Sequence, residues 1–193
     1  MTAPARKLLS REERSASVLA AAAEAFAAGG YAATSMDDVA AAAGVTKLIV
    51  YRHFDSKEEL YRAVLDRVAT RVAQEFVKGI NAPDPRGTAA RALLTAARED
   101  PHGFFLLWRH ATREPEFAEH AAEVRRAAVK AAEGLIGDTI SDEIVRTWAA
   151  RTIVSYLVEA TLHWLETGTP ERDDELVART TDGLEALYTS WQR

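Results

Sequence analysis

The chain has 193 residues, with 24 Lys+Arg against 29 Asp+Glu, a net charge of −5, 48% hydrophobic residues and no cysteine. That length supports one large or two small domains with a core that holds without crosslinks, and the missing cysteine excludes disulfides, thiolate zinc sites, Fe–S clusters and cysteine nucleophiles. The acidity argues against coating nucleic acid without regard to sequence, because phosphate binding needs positive charge, although a small DNA-reading patch fits on an acidic body.

The chain contains 38 Ala, ten Gly, six Pro and one Asn. Ala favours helix most and Gly and Pro least, so an all-helical fold is expected. Residues 1–15 carry no apolar run of the signal-peptide kind, and the Ala-rich stretches are cut by charges. Both features predict a soluble cytoplasmic protein with no membrane partner.

In chain order, residues 1–9 read as a loose, mildly basic tail carrying Arg6 and Lys7. A first helix starts after Ser10, with Glu12 and Glu13 in the first turn, where the helix dipole favours acids. Val18, Leu19, Ala22, Ala25 and Phe26 form its apolar face, and Gly29-Gly30 ends it. Either Thr34 or Ser35 caps a short second helix that stops at Gly44, and Thr46 caps a third reaching Phe54. Ser56 and Glu59 form a capping box for a long fourth helix over about 57–79, with Leu60, Val64, Val68, Val72 and Phe76 every fourth residue. After the loop Asn81–Gly87, helices are expected at about 88–98, 104–113, 116–136, 142–166 and 172–191. The total is nine helices with no strand. Residues 1–54 hold six Lys+Arg and five Asp+Glu, whereas residues 55–193 hold 18 and 24, so the amino-terminal quarter is the basic part.

Met36 to Val50 reads as helix, turn and helix. Ala40 is small where the second helix crosses, Gly44 permits a sharp turn that a Cβ resists, and Val39, Val45 and Val50 lock the two helices. That is a helix-turn-helix unit, whose second helix enters the major groove of DNA.

The flanking segments Tyr31-Ala32-Ala33-Thr34-Ser35 and Val50 to Leu60 resemble the TetR family of bacterial transcription repressors. The resemblance is specific over residues 11–61 and architectural beyond. It implies a helix-turn-helix DNA-binding domain over residues 1–55, and a helical ligand-binding and dimerisation domain over residues 56–193. It also implies a double-stranded operator, a small-molecule effector, and a homodimer formed through the last two helices.

Carried over residue by residue, the resemblance gives Thr34 or Ser35 a phosphate, and places Thr46, Lys47, Leu48 and Ile49 at base edges or the groove wall. Tyr51, His53 and Lys57 fall at phosphate-contacting positions. Family members often carry a small residue and a Thr where this chain has Leu48 and Ile49. These apolar side chains either meet thymine methyls or change which residues read bases.

Alternatives stand beside these roles. Lys47 is a DNA contact or a solvated charge, Tyr51 a phosphate contact or packing, and His53 a contact or a residue suited to a helix end. Phe54 reads as core, and Arg52 points to its own domain or to solvent. Arg6, Arg11 and Arg14 either help bind phosphate or the minor groove, or belong to the tail.

Phe104, Phe105, Trp108, Trp148 and Tyr156 are the expected walls of an apolar pocket for a hydrophobic or aromatic effector, Trp108 foremost, although aromatics at helical spacing also serve simply as core. Phe117 and Trp164 are weaker candidates, and His102 and His110 either orient the ligand or sit on the surface. Arg151, Ser155, Glu159 and His163 follow each other at helical spacing, as a solvated face or as a polar strip at a dimer or pocket wall. No catalytic constellation, metal spacing or cofactor motif occurs. The reading is a dimeric, effector-responsive repressor on a palindromic operator. Its rivals are an architectural DNA binder, and a helical enzyme or sequestering protein that keeps the motif for packing.

Overall fold

Nine α-helices joined by short turns make up the residues that the computed structural model describes, 10–192, and no strand occurs among them. Arg6 and Lys7 of the expected basic tail lie outside the described residues. The chain divides into two compact units, the first ending at Val64 and the second beginning at Leu65.

In the first unit, α1 (Arg11–Gly29) starts with a full capping box: Glu13 N–H donates to Ser10 Oγ at 3.1 Å, and Ser10 N–H to the Glu13 carboxylate at 2.7 Å. α2 (Met36–Ala42) is capped by Ser35 and not by Thr34. Gly44 lies at φ +63°, a left-handed conformation that a Cβ would strain, and so turns the chain into α3 (Lys47–Tyr51). Ala40 is buried at the crossing, as are Val39 and Val50, whereas Val45 is half-buried. α3 ends at Tyr51, earlier than the expected Phe54, and Phe54 turns into the core.

α4 (Lys57–Ile80) begins in the first unit and continues into the second. Its Leu60, Tyr61 and Val64 are buried, and the Tyr61 ring meets Phe26 and Tyr31 edge-on, each at 5.0 Å between centroids. Such burial contributes about 1.5–3 kcal/mol per large apolar side chain. For that reason the first unit extends to Val64, nine residues beyond the 55/56 division expected from the sequence.

The second unit holds α5 (Thr88–Glu99), α6 (Pro101–Phe105), a π-helical turn (Leu106–His110), α7 (Ala118–Ile136), α8 (Glu143–Thr167) and α9 (Asp173–Trp191). The expected helix over 104–113 starts earlier and changes pitch, because Asp100 caps it through Gly103 N–H at 3.0 Å and Pro101 suits the first turn. α8 packs against α5, α7 and α9. Its Val154, Leu157, Val158 and Leu162 are buried, as are Phe104, Leu106, Leu107 and Phe117, whereas its Ala149 and Ala150 form a separate cluster with Ile136 and Ile140. Ion pairs fix the helix ends: Arg71 grips Glu99 with two bonds of 2.6 and 2.7 Å, Arg67 holds Asp100, and Arg98 holds Asp173, which also accepts from Trp164 Nε1 at 2.8 Å.

Candidate nucleic-acid interface and effector site

α3 projects a compact set of side chains outward. Thr46 is exposed and its hydroxyl is not used as a cap, and Leu48 is 63% and Tyr51 42% exposed. Lys47 Nζ donates to Asp37 at 2.7 Å and lies 5.9 Å from the centre of the Tyr51 ring. The bond to Asp37 is the main cause that raises the Lys47 pKa above its ordinary value. Ile49 and His53 face the other way. With Arg11 and Arg14 of α1 and with Arg52 they line an open concavity of about 450 Å³. Three guanidinium groups around one apolar side chain make a cationic shelf next to the α3 face. Arg52 therefore belongs to this shelf, which spacing along one helix could not show because α1 supplies the other arginines.

Two of the expected phosphate contacts are engaged within their own unit. Thr34 is buried, and its hydroxyl donates inward to the carbonyls of Ala25 at 3.2 Å and Gly30 at 2.8 Å. Lys57 is folded back on its own unit. Its ammonium donates to the Tyr31 carbonyl at 2.9 Å and the Ala32 carbonyl at 3.3 Å, and lies 4.5 Å from the Tyr31 ring centre. Ser35 is exposed, but its hydroxyl and N–H both bond to Asp38. Those bonds, the hydroxyl's first, hold the Asp38 pKa below the usual aspartate value. An acid fixed at that place repels phosphate, which weakens the phosphate role for Ser35 as well.

In the second unit the five aromatic candidates separate. Phe104 and Trp108 are buried, with ring centres 6.2 Å apart. Phe105 is half-buried and lies against His110 at 4.9 Å, while His102 is exposed. Trp148 and Tyr156 do not join Phe104 and Trp108 in one wall. They line an open concavity of about 640 Å³ along α8, together with Arg151, Ser155, Glu159 and His163. Trp148 is half exposed, and its ring packs edge-on against Trp191 of α9, at 4.8 Å between centres. The polar strip on α8 thus lines this concavity, and two of its members hold arginines: Glu159 accepts from Arg109 at 2.8 Å, and Ser155 lies 3.5 Å from Arg125. Among the described residues no group of three or more His, Asp or Glu is placed to hold a metal, and no helix is long and apolar enough to cross a membrane.

A short helix held at a glycine turn, with an exposed face of Thr, Lys, Leu and Tyr, defines a helix-turn-helix regulator that binds DNA. The model of the bacterial regulatory proteins of the tetR family matches residues 18–64. The chain is 34% identical over 186 residues to the HTH-type transcriptional activator FasR of Mycolicibacterium smegmatis, covering 89% of this chain and 81% of that protein. An HTH-type transcriptional repressor of Mycobacterium tuberculosis is 45% identical over 64 residues, 33% of this chain and 34% of that one. The crystal structure of a TetR-like transcriptional regulator from Rhodococcus sp. RHA1 shares the fold at a TM-score of 0.75, with 21% identity over 94% of this chain and 96% of that one. The chain belongs to the tetR family of bacterial regulatory proteins.

Proposed function

We propose that the protein is an effector-responsive repressor that binds a palindromic operator as a homodimer in the cytoplasm and is released by a hydrophobic small molecule. The observation that carries the DNA reading is the exposed face of α3, with Lys47, Leu48 and Tyr51 beside the Arg11–Arg14–Arg52 shelf. A lysine and three arginines supply phosphate affinity, while the apolar Leu48 suits contact with thymine methyls.

Dimerisation is supported by apolar surface on the last two helices. Ile144 is 82% exposed, Trp148 half exposed, and Leu187 of α9 also reaches solvent. A second copy related by a two-fold axis would cover these residues and build a four-helix bundle. The effector would act by binding better to the subunit pair whose recognition helices are wrongly spaced, since only differential affinity shifts a population.

A second reading, activation, is favoured by the name of the FasR relative, an activator that matches over most of its length. A reporter behind the operator, in cells with and without the gene, separates the two. Deletion raises expression for a repressor and lowers it for an activator. Fluorescence anisotropy of operator DNA titrated with protein, then with hydrophobic compounds, tests release. DNA that stays bound with every compound that itself binds the protein would remove the effector reading.

A further inference from the structure

From Ile144 to His163, α8 exposes Ile144, Trp148, Arg151, Ser155, Glu159 and His163, while every other residue of the span is buried or half-buried. Steps of three and four residues keep all six on one face of the helix. The open concavity of about 640 Å³ along this strip is lined by α8 alone. A small molecule resting there would touch one wall and stay largely wet, whereas small-molecule sites bury most of their ligand. The strip suits a broad partner instead.

Its charges say which one. Arg151 is exposed, and its side chain has no ion pair or hydrogen bond among the described residues. Glu159 gives only Oε2 to Arg109, at 2.8 Å, and is half exposed, so its other oxygen is open to a second donor. Arg151 and Glu159 stand eight residues apart, about 12 Å along the helix, whereas ion-pair partners on one helix lie three or four residues apart. Ser155 is midway between them, and Trp148 and His163 lie seven and eight residues to either side of it. Arg125 of α7 ends 3.5 Å from the Ser155 hydroxyl but is half-buried over the Trp108 ring, and Ser155 stays exposed. An antiparallel copy of the same helix crossing at Ser155 meets each residue with its complement. Arg151 faces Glu159 of the partner subunit, Trp148 faces His163 of the partner subunit, and Ser155 faces itself.

We propose that two copies of the chain cross antiparallel at Ser155, with Arg151 of each paired to Glu159 of the partner subunit, and that this exchange sets the register of the dimer. The proposal rests on the homodimer reading and goes beyond it. Apolar surface at Ile144, Trp148 and Leu187 drives association without choosing a register. Two reciprocal ion pairs hold one register, and they disfavour a subunit that lacks the matching charges.

The chain has no cysteine, so single cysteines report the register cleanly. Ile144→Cys, Ser155→Cys and His163→Cys, all on the exposed strip, are oxidised in the full-length protein and read on non-reducing gels. Ser155→Cys should crosslink nearly completely, because a two-fold crossing brings its Cα atoms within the roughly 4.4–6.8 Å that a disulfide needs. The copies of Ile144→Cys and His163→Cys lie roughly 33 and 24 Å apart along the antiparallel pair, and neither should crosslink. In sedimentation equilibrium at low salt, Arg151→Ala and Glu159→Gln should each raise the dimer Kd about tenfold, and the double variant should be no weaker than either. A dimer in which Ser155→Cys stays uncrosslinked, or in which either outer cysteine crosslinks, would overturn the proposal and leave the homodimer reading standing. Charge variants without effect, or with losses that add in the double variant, would do the same. A wild-type monomer would end both readings and leave the strip to a different protein.

Discussion

Lys47, the first residue of α3, is tied to Asp37 in the first turn of α2 by a bond of 2.7 Å, so the lysine best placed for DNA is held by an acid of its own motif. Both side chains are more than half exposed, and the pair costs little to part. A phosphate that takes Lys47 leaves Asp37 uncompensated next to DNA. The pair therefore orients Lys47 in the free protein and restrains its affinity.

Asp37→Asn should accordingly tighten DNA binding several-fold at low salt, with the advantage fading as salt rises. Lys47→Ala should weaken binding and reduce the slope of log affinity against log salt by about one unit. Anisotropy titrations over a salt series read both effects. An Asp37→Asn variant that binds more weakly would show that Asp37 positions the helix and does not restrain it.

Thr34→Val should lower stability by about 1 kcal/mol, the worth of a hydrogen bond from a buried hydroxyl, and leave DNA affinity unchanged. The motive is the inward pair of bonds to Ala25 and Gly30. Urea denaturation measures the first and anisotropy the second. Lost DNA binding at full stability would restore a phosphate role to this threonine.

Charged substitution on the proposed dimer face should give monomers. Leu187→Glu and Trp148→Glu remove exposed apolar contacts without opening the core, and both should sediment as monomers at micromolar concentration while keeping their helix content. DNA affinity should fall steeply with dimer loss. A wild-type protein that sediments as a monomer under the same conditions would end the dimer account.

Acid should weaken the joint between α5 and α9. The bond from Arg98, aided by Trp164, holds the Asp173 pKa below its ordinary value of 3.8. A carboxylate depressed in the folded state adds stability above the unfolded pKa, and loses it as pH falls through the folded value. Asp173→Asn should thus cost about 1 kcal/mol at neutral pH, since the pair is partly screened by solvent. The difference from wild type should persist to about pH 4 and close below it, as followed by urea midpoints against pH. A gap that is constant at every pH would assign it to packing.

The all-helical fold and the recognition motif were legible in the sequence because Ala content, Gly44 and the capping residues act locally. Ser10 and Ser35 cap where a serine with an acid three residues on should. What stayed hidden depends on other parts of the chain. Whether Thr34 or its neighbour caps α2 is decided by the carbonyls of α1, and Lys57 is claimed by carbonyls twenty-five and twenty-six residues away. The unit boundary moved to Val64 because Tyr61 fills the aromatic cluster with Phe26 and Tyr31. Periodicity grouped Trp148 with Trp108 as apolar aromatics, but Trp108 is buried, whereas Trp148 lines the α8 concavity and packs on Trp191.

The central claim is that the outward face of α3 reads DNA in a two-fold arrangement. Selection of duplexes from a random library by the full-length protein, with the Lys47→Ala/Tyr51→Ala double variant in parallel, tests it most directly. The account predicts an enriched palindrome for the wild type, with half-site centres about one helical turn or a multiple apart, and no enrichment by the variant. Enrichment of the same sequence by both proteins, or no shared sequence for the wild type, would contradict it.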